Sequence, residues 1–350
     1  MEVAINEAFV NEIKPKFLSL LKSEQGLSWL KERDDKDLFF KKYFNEESIL
    51  NIDEGILREL LNKLWAYSGW TNKDYLLNQM LESDLQEIRR QFKDLLFGGQ
   101  KLAKRFDEMK KIKIMGAASV SEILIHNNHD KYPIWNRRAK KGLLRIGVNE
   151  KLLPKSSQIS GSQYVDYCSL VQNVFTHVNS LIPEIDDLFQ LDFFLYYIST
   201  LPDVEKEITE LPETTEFDHG TTIDEILQLG DSLGFEVDKE VNVTHGCRLD
   251  AVWRTRIGNL GQIKYAFEVH RKGSRDSAIL NLQRSKADPT IQKVVLVSTA
   301  DELEKFEKEI STLPEEFRKS VGYFNISDLQ MAVEYQENIK EILRKIGLTF

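Results

Sequence analysis

The 350-residue chain is 41% hydrophobic and 29% charged, which excludes a fibre or a disordered tail, and its length suffices for two domains that each bury a core. A formal net charge of -9 excludes a uniformly basic nucleic-acid-binding surface, because phosphate binding is driven by Lys and Arg releasing counterions. No apolar run approaches the length of a bilayer span, residues 1–12 show no cleavable signal pattern, and Cys168 and Cys247 lack the spaced partners of a zinc site, so a reducing, cytoplasmic location is expected.

From the start to about residue 200 the apolar spacing is helical. Ile56, Leu57, Leu60, Leu61 and Leu64 form one stripe, and Leu85, Ile88, Phe92, Leu95 and Leu96 form another that Gly98-Gly99 stops. Within this half, residues 101–150 hold twelve Lys and Arg against five acids, a local basic excess inside an acidic chain. Residues 201–220 change character: Pro202 and Pro212 interrupt them, and seven acids face Lys206 alone. This acidic linker separates a helical domain, residues 1–200, from a second domain, residues 221–350.

The second domain alternates element types. Thr222 can cap a helix that ends at Gly234. Strands are predicted over residues 235–243, 248–255 and 263–271, with Gly258-Asn259 and Gly261 turning between the last two. A helix over 275–287, a strand over 293–298 and a helix over 301–310 follow. The last strand reaches its partner through a helix, so the central sheet is expected to be mixed and flanked by helices.

Chemistry concentrates between Cys247 and Lys272. Alternation places Glu268, His270 and Lys272 on one face of their strand. If Asp250 lies opposite on the neighbouring strand, the two carboxylates can share a hard divalent cation, Mg²⁺ or Mn²⁺, while a basic side chain two residues on positions water beside a scissile phosphate. This pattern resembles the PD-(D/E)XK nuclease superfamily of restriction and recombination endonucleases, in element order as well as in motif, over about residues 222–298. The resemblance implies that Asp250 and Glu268 hold the metal, and that His270 stands where lysine is usual, with Lys272 as a substitute cation. It implies too that Gln283 supports the site from the following helix and that Glu225 is an additional acid. Leu249 replaces the proline of the motif. The implied activity is hydrolysis of phosphodiester bonds in DNA, in restriction or defence, with a homodimer as one means of cutting both strands. If His270 cannot do the work of lysine, the same fold serves as a catalytically inactive DNA-binding or partner-docking module.

In the helical half, a small-residue turn at Gly116, Ala118 and Ser119 enters a helix, where backbone N–H groups can cradle phosphate, and Asn136, Arg137, Arg138, Lys140 and Lys141 follow. Residues 110–147 resemble the helix-hairpin-helix DNA glycosylase fold. Asn136 occupies the position of the catalytic aspartate, and an amide cannot stabilise an oxocarbenium ion as a carboxylate does, so binding of duplex DNA is the expectation here and base excision is not. Trp65, Tyr67 and Trp70 read as core, and His126, His129 and Asp130 as a solvated Asn-rich loop.

Overall fold

The computed structural model describes residues 4–201, 217–244, 247–258 and 261–348. The chain divides into two compact units, Met1–Ser68 with Lys73–Glu205, and Gly69–Asn72 with Lys206–Phe350. Most of the acidic stretch predicted as a linker, residues 202–216, lies outside the described residues, as do Asn259 and Leu260 of the predicted hairpin turn.

Helices build the described part of the first unit: α1 (Glu7–Leu21), α2 (Glu24–Tyr43), α3 (Glu54–Lys63), α4 (Lys73–Met80), α5 (Leu85–Phe97), α6 (Leu102–Met109), α7 (Ala117–Asn127), α8 (Arg137–Arg145), α9 (Gly161–Leu181) and α10 (Leu188–Thr200). Side chains of Ser23, Asp53, Asp84, Asn136, Ser160 and Asp187 accept first-turn amides, which sets where their helices begin. The two apolar stripes are buried as their spacing requires, through Leu57, Leu60 and Leu61 on α3 and Ile88, Phe92, Leu95 and Leu96 on α5.

The second unit runs α11 (His219–Ser232), β1 (Glu236–Thr244), β2 (Cys247–Arg256), β3 (Gln262–Val269), α12 (Arg275–Ser285), β4 (Ile291–Ser298), α13 (Ala300–Ile310), α14 (Glu315–Ser320), β5 (Val321–Asn325) and α15 (Ile326–Lys345). Its sheet has the order β1-β2-β3-β4-β5, antiparallel from β1 to β3 and parallel from β3 to β5, so the mixed sheet expected from the helical crossover is present. One face packs Val252, Ala266, Val294 and Leu296 against Ala278 and Leu282 of α12 and Phe306 of α13. On the other, the Trp253 ring packs on Phe235 and Phe267, and its Nε1 donates to Ile226 O of α11 at 3.0 Å.

Two of the boundaries that differ from the sequence reading bear on the site. Thr222 is not the cap of α11, because Asp218 accepts from Thr221 N at 2.8 Å and starts the helix earlier, within the stretch assigned to the linker. β3 ends at Val269 instead of residue 271; His270 N still donates to Val297 O at 2.9 Å, and Gly273, at φ +128°, turns the chain toward α12. A four-residue piece, Gly69–Asn72, joins this unit through Asp231, which accepts from the amides of Thr71 and Asn72 and from the Thr71 hydroxyl.

Gly230 lies against the Trp253 indole, where an added Cβ would sit 2.4 Å from Nε1. The ring cannot withdraw without losing its bond to Ile226 O. Gly230→Ala is therefore expected to destabilise the protein by about 1–3 kcal/mol, the usual cost of overpacking, measured by denaturant unfolding.

Candidate functional site

Ala251 pairs with Phe267 across the β2–β3 ladder, and Asp250 and Glu268 follow these two residues toward the end of β3. At that end the Asp250 side chain takes over from the ladder: Val269 N donates to Asp250 Oδ2 at 2.7 Å. A charged acceptor on a backbone amide makes a strong, well-directed bond, and it holds the carboxylate at the strand terminus. The same oxygen lies 3.4 Å from Nε2 of His219, on the first turn of α11, and that nitrogen is also 3.1 Å from Val269 O. One imidazole thus spans the carboxylate and the neighbouring carbonyl.

Glu268 is held from the other side. Asn281 of α12 donates from Nδ2 to Glu268 Oε1 at 3.2 Å, whereas Oε2 is buried without a hydrogen-bond partner. Burial first, and then the charge of Asp250, push the Glu268 carboxyl up to about 7, against the smaller opposing effects of Asn281 and His219. His219 moves upward as well, chiefly through its bond to Asp250, with burial working against it. The arrangement is two carboxylates at one strand end, one anchored and one carrying an unsatisfied oxygen, flanked by an imidazole and an amide. It can hold a hard divalent cation or, in its absence, a proton on Glu268.

The remaining expected residues are placed differently. The His270 ring packs edge-on against Phe306 at 4.9 Å and is buried, which lowers its pKa; the charged groups it senses are Glu302 and Arg275. It is a core imidazole. Lys272 lies beyond the end of β3 in an exposed bend, so strand alternation no longer carries it to the face of Glu268. Gln283 stands two residues past Asn281 on α12, about 200° around the helix, so Asn281 takes the supporting position assigned to it. Glu225 is buried on α11 but is not among the groups that set the Glu268 carboxyl.

In the helical unit, the hairpin expected to cradle phosphate is occupied from within. Gly116 N donates to Ser119 Oγ at 3.1 Å, and Ala117 N faces Gln158 Oε1 at 3.4 Å. Gln158 Nε2 also comes within 3.0 Å of where a Cβ on Gly116 would stand, Ser119 is buried, and Ala118 is half-buried. Asn136 is the cap of α8, accepting from Ala139 N at 2.7 Å, a role that explains a short polar residue there without catalysis. Lys140 donates to Pro154 O at 3.0 Å, and Arg138 lies over the Tyr196 ring at 5.0 Å. Arg137 and Lys141 also interact with other groups of the protein.

The loop reading of His126 is overturned, and His129 lies in the expected connection but half-buried there. His126, at the end of α7, is buried, with Nδ1 2.7 Å from Oδ1 of Asp37 on α2, and His129 Nε2 is 3.1 Å from the same oxygen. Asp37, which is 89 positions away in the chain from His126, and not Asp130, is their carboxylate. No local spacing could reveal it. His219 falls in the stretch read from the sequence as linker, and the sequence signal for it is Asp218 with Thr221 as a capping pair.

Compared with protein-family models, with curated proteins and with solved structures, the chain has no match. No helix among the described residues is long and apolar enough to cross a membrane.

In metal-free protein, Glu268 favours the protonated folded state. A carboxyl raised from 4.5 to about 7 contributes stability that is complete below pH 4.5 and is lost as the pH climbs through 7. Its full size is on the order of 3 kcal/mol. Glu268→Gln should abolish this loss, so that unfolding free energies measured in EDTA change less from about pH 5 to about pH 8 than in the parent protein.

Proposed function

We propose that the second unit is a divalent-cation-dependent phosphodiesterase centre of endonuclease type acting on DNA, in a fold of the restriction-endonuclease kind. The observation that carries this reading is the meeting of Asp250 and Glu268 at one strand end, with Glu268 Oε2 buried and lacking a partner. A buried carboxylate oxygen without a partner is costly, and a cation satisfies it. Asp250 and Glu268 would hold Mg²⁺ or Mn²⁺, which when bound supplies Lewis-acid stabilisation of charge on phosphate oxygens. The order α11-β1-β2-β3-α12-β4-α13 supports the same reading, because it presents the β2–β3 hairpin end to the first turn of α11 and to Asn281 of α12.

His219 is the basic side chain beside this centre, and it takes the place assigned by sequence to His270. Held against Asp250 Oδ2 and Val269 O, it can carry a proton next to the anchored carboxylate. Asn281 orients Glu268 through Oε1 and leaves Oε2 for the cation.

A second reading, a nuclease frame used only for DNA binding or partner docking, is favoured by two placements: His270 is packed into the core against Phe306, and Lys272 is displaced past the strand. The two readings separate experimentally. In the first, calorimetric titration detects Mn²⁺ binding that weakens at least about tenfold in Asp250→Ala, and the parent protein nicks or cuts supercoiled plasmid in Mg²⁺ or Mn²⁺ while the variant does not. Cleavage that persists in Asp250→Ala removes the site assignment; metal binding without cleavage selects the docking module.

A further inference from the structure

We infer that the helical unit contains a second, chemically distinct cation site, formed by Asp37, His126 and His129 and suited to a zinc-class ion. One ligand atom from each side chain can be chosen so that all lie within 4.8 Å of one another. Nδ1 of His126 is 2.7 Å and Nε2 of His129 is 3.1 Å from Asp37 Oδ1. Donors that share a tetrahedral zinc at bonds of about 2.0–2.2 Å stand roughly 3.3 Å apart, so entry of the ion requires an opening of a few tenths of an ångström. Two imidazoles and one carboxylate favour Zn²⁺ over Mg²⁺, which prefers oxygen donors. The site therefore differs in class from the carboxylate pair of the second unit.

The surroundings fit a ligand set better than an isolated ion pair. Asp187 Oδ2 is 3.4 Å from His129 Nδ1, the nitrogen that faces away from Asp37, and a carboxylate at that position fixes the tautomer and ring direction of a metal-bound histidine. Asp187 is itself fixed, because it caps α10 through Gln190 N at 2.6 Å, and His129 O accepts from Leu188 N at 3.1 Å. His126 stacks on Phe40 at 4.6 Å and touches Phe189 at 5.3 Å, so its ring has apolar walls and only Nδ1 has a polar partner. The three donors come from α2, from the last turn of α7 and from the turn after it, and an ion there joins elements far apart in sequence. Three protein ligands leave one position for water. Side-chain exposures of 13% for Asp37 and 25% for His129 give access from solvent.

The test uses the full chain in an Asp250→Ala background, so that the other centre is weakened and its failure is read separately. After stripping with a chelator, calorimetric titration with Zn²⁺ should show one equivalent bound with a dissociation constant at or below about 1 µM. Binding should weaken at least about tenfold in His129→Asn and in Asp37→Asn, the scale on which loss of a donor or its support acts. Co²⁺ in place of Zn²⁺ should give the visible absorption of a tetrahedral site, lost in His129→Asn, whose fold is checked by circular dichroism. Absence of stoichiometric Zn²⁺ binding, or binding and Co²⁺ absorption unchanged by both substitutions, overturns the assignment.

Discussion

β3 is the constraint on which the second unit depends. It pairs antiparallel with β2 on one side and parallel with β4 on the other, with helices packed on both faces of the sheet, so its residues have little freedom to shift. A slip of one residue against β2 would exchange the two faces and remove Glu268 from Asn281 and Asp250. The aromatic packing of Trp253 on Phe267 and on Gly230 of α11 opposes such a slip from the opposite face. The carboxylate centre therefore takes its geometry from apolar packing that has no chemistry of its own.

That packing also explains why the centre can hold an unsatisfied oxygen. Desolvation and like charge both disfavour ionised Glu268, and the cost is borne by a well-buried sheet in place of the site itself. Val269 N–H and His219 steady Asp250, whereas Glu268 keeps one buried oxygen without a partner and its carboxyl is pushed up to about 7.

The helical unit shows a parallel arrangement built from different elements. Glu122 on α7 is buried and accepts from Trp65 N at 2.6 Å and Ala66 N at 2.9 Å, with Lys36 of α2 3.7 Å away. One turn further along α7, His126 meets Asp37, the residue after Lys36. Buried polar groups along the α2–α7 contact specify register where apolar side chains alone would allow sliding, because any shift strands a charge. Among the residues of the basic segment, Lys140, Lys113 and Lys111 are tied to Pro154 O, Glu82 and Glu108, which is how a local basic excess coexists with a hairpin closed by Gln158.

Period and punctuation in the sequence determined the helical first half, the mixed sheet, the order of elements from α11 to α13, and the placing of Asp250 and Glu268 on neighbouring strands, since these follow from local spacing and from strands joined by a short turn. The same information could not decide what lies beside that pair. Whether His270 reaches the site or the core depends on Phe306 of α13, and whether Gln283 or Asn281 supports Glu268 depends on the rotation of α12 about its axis. The closing β5 and α15 and the meeting of Asp37 with His126 and His129 were likewise decided only in three dimensions. Long-range contacts select partners by packing and desolvation across elements, and neither leaves a periodic trace in the chain.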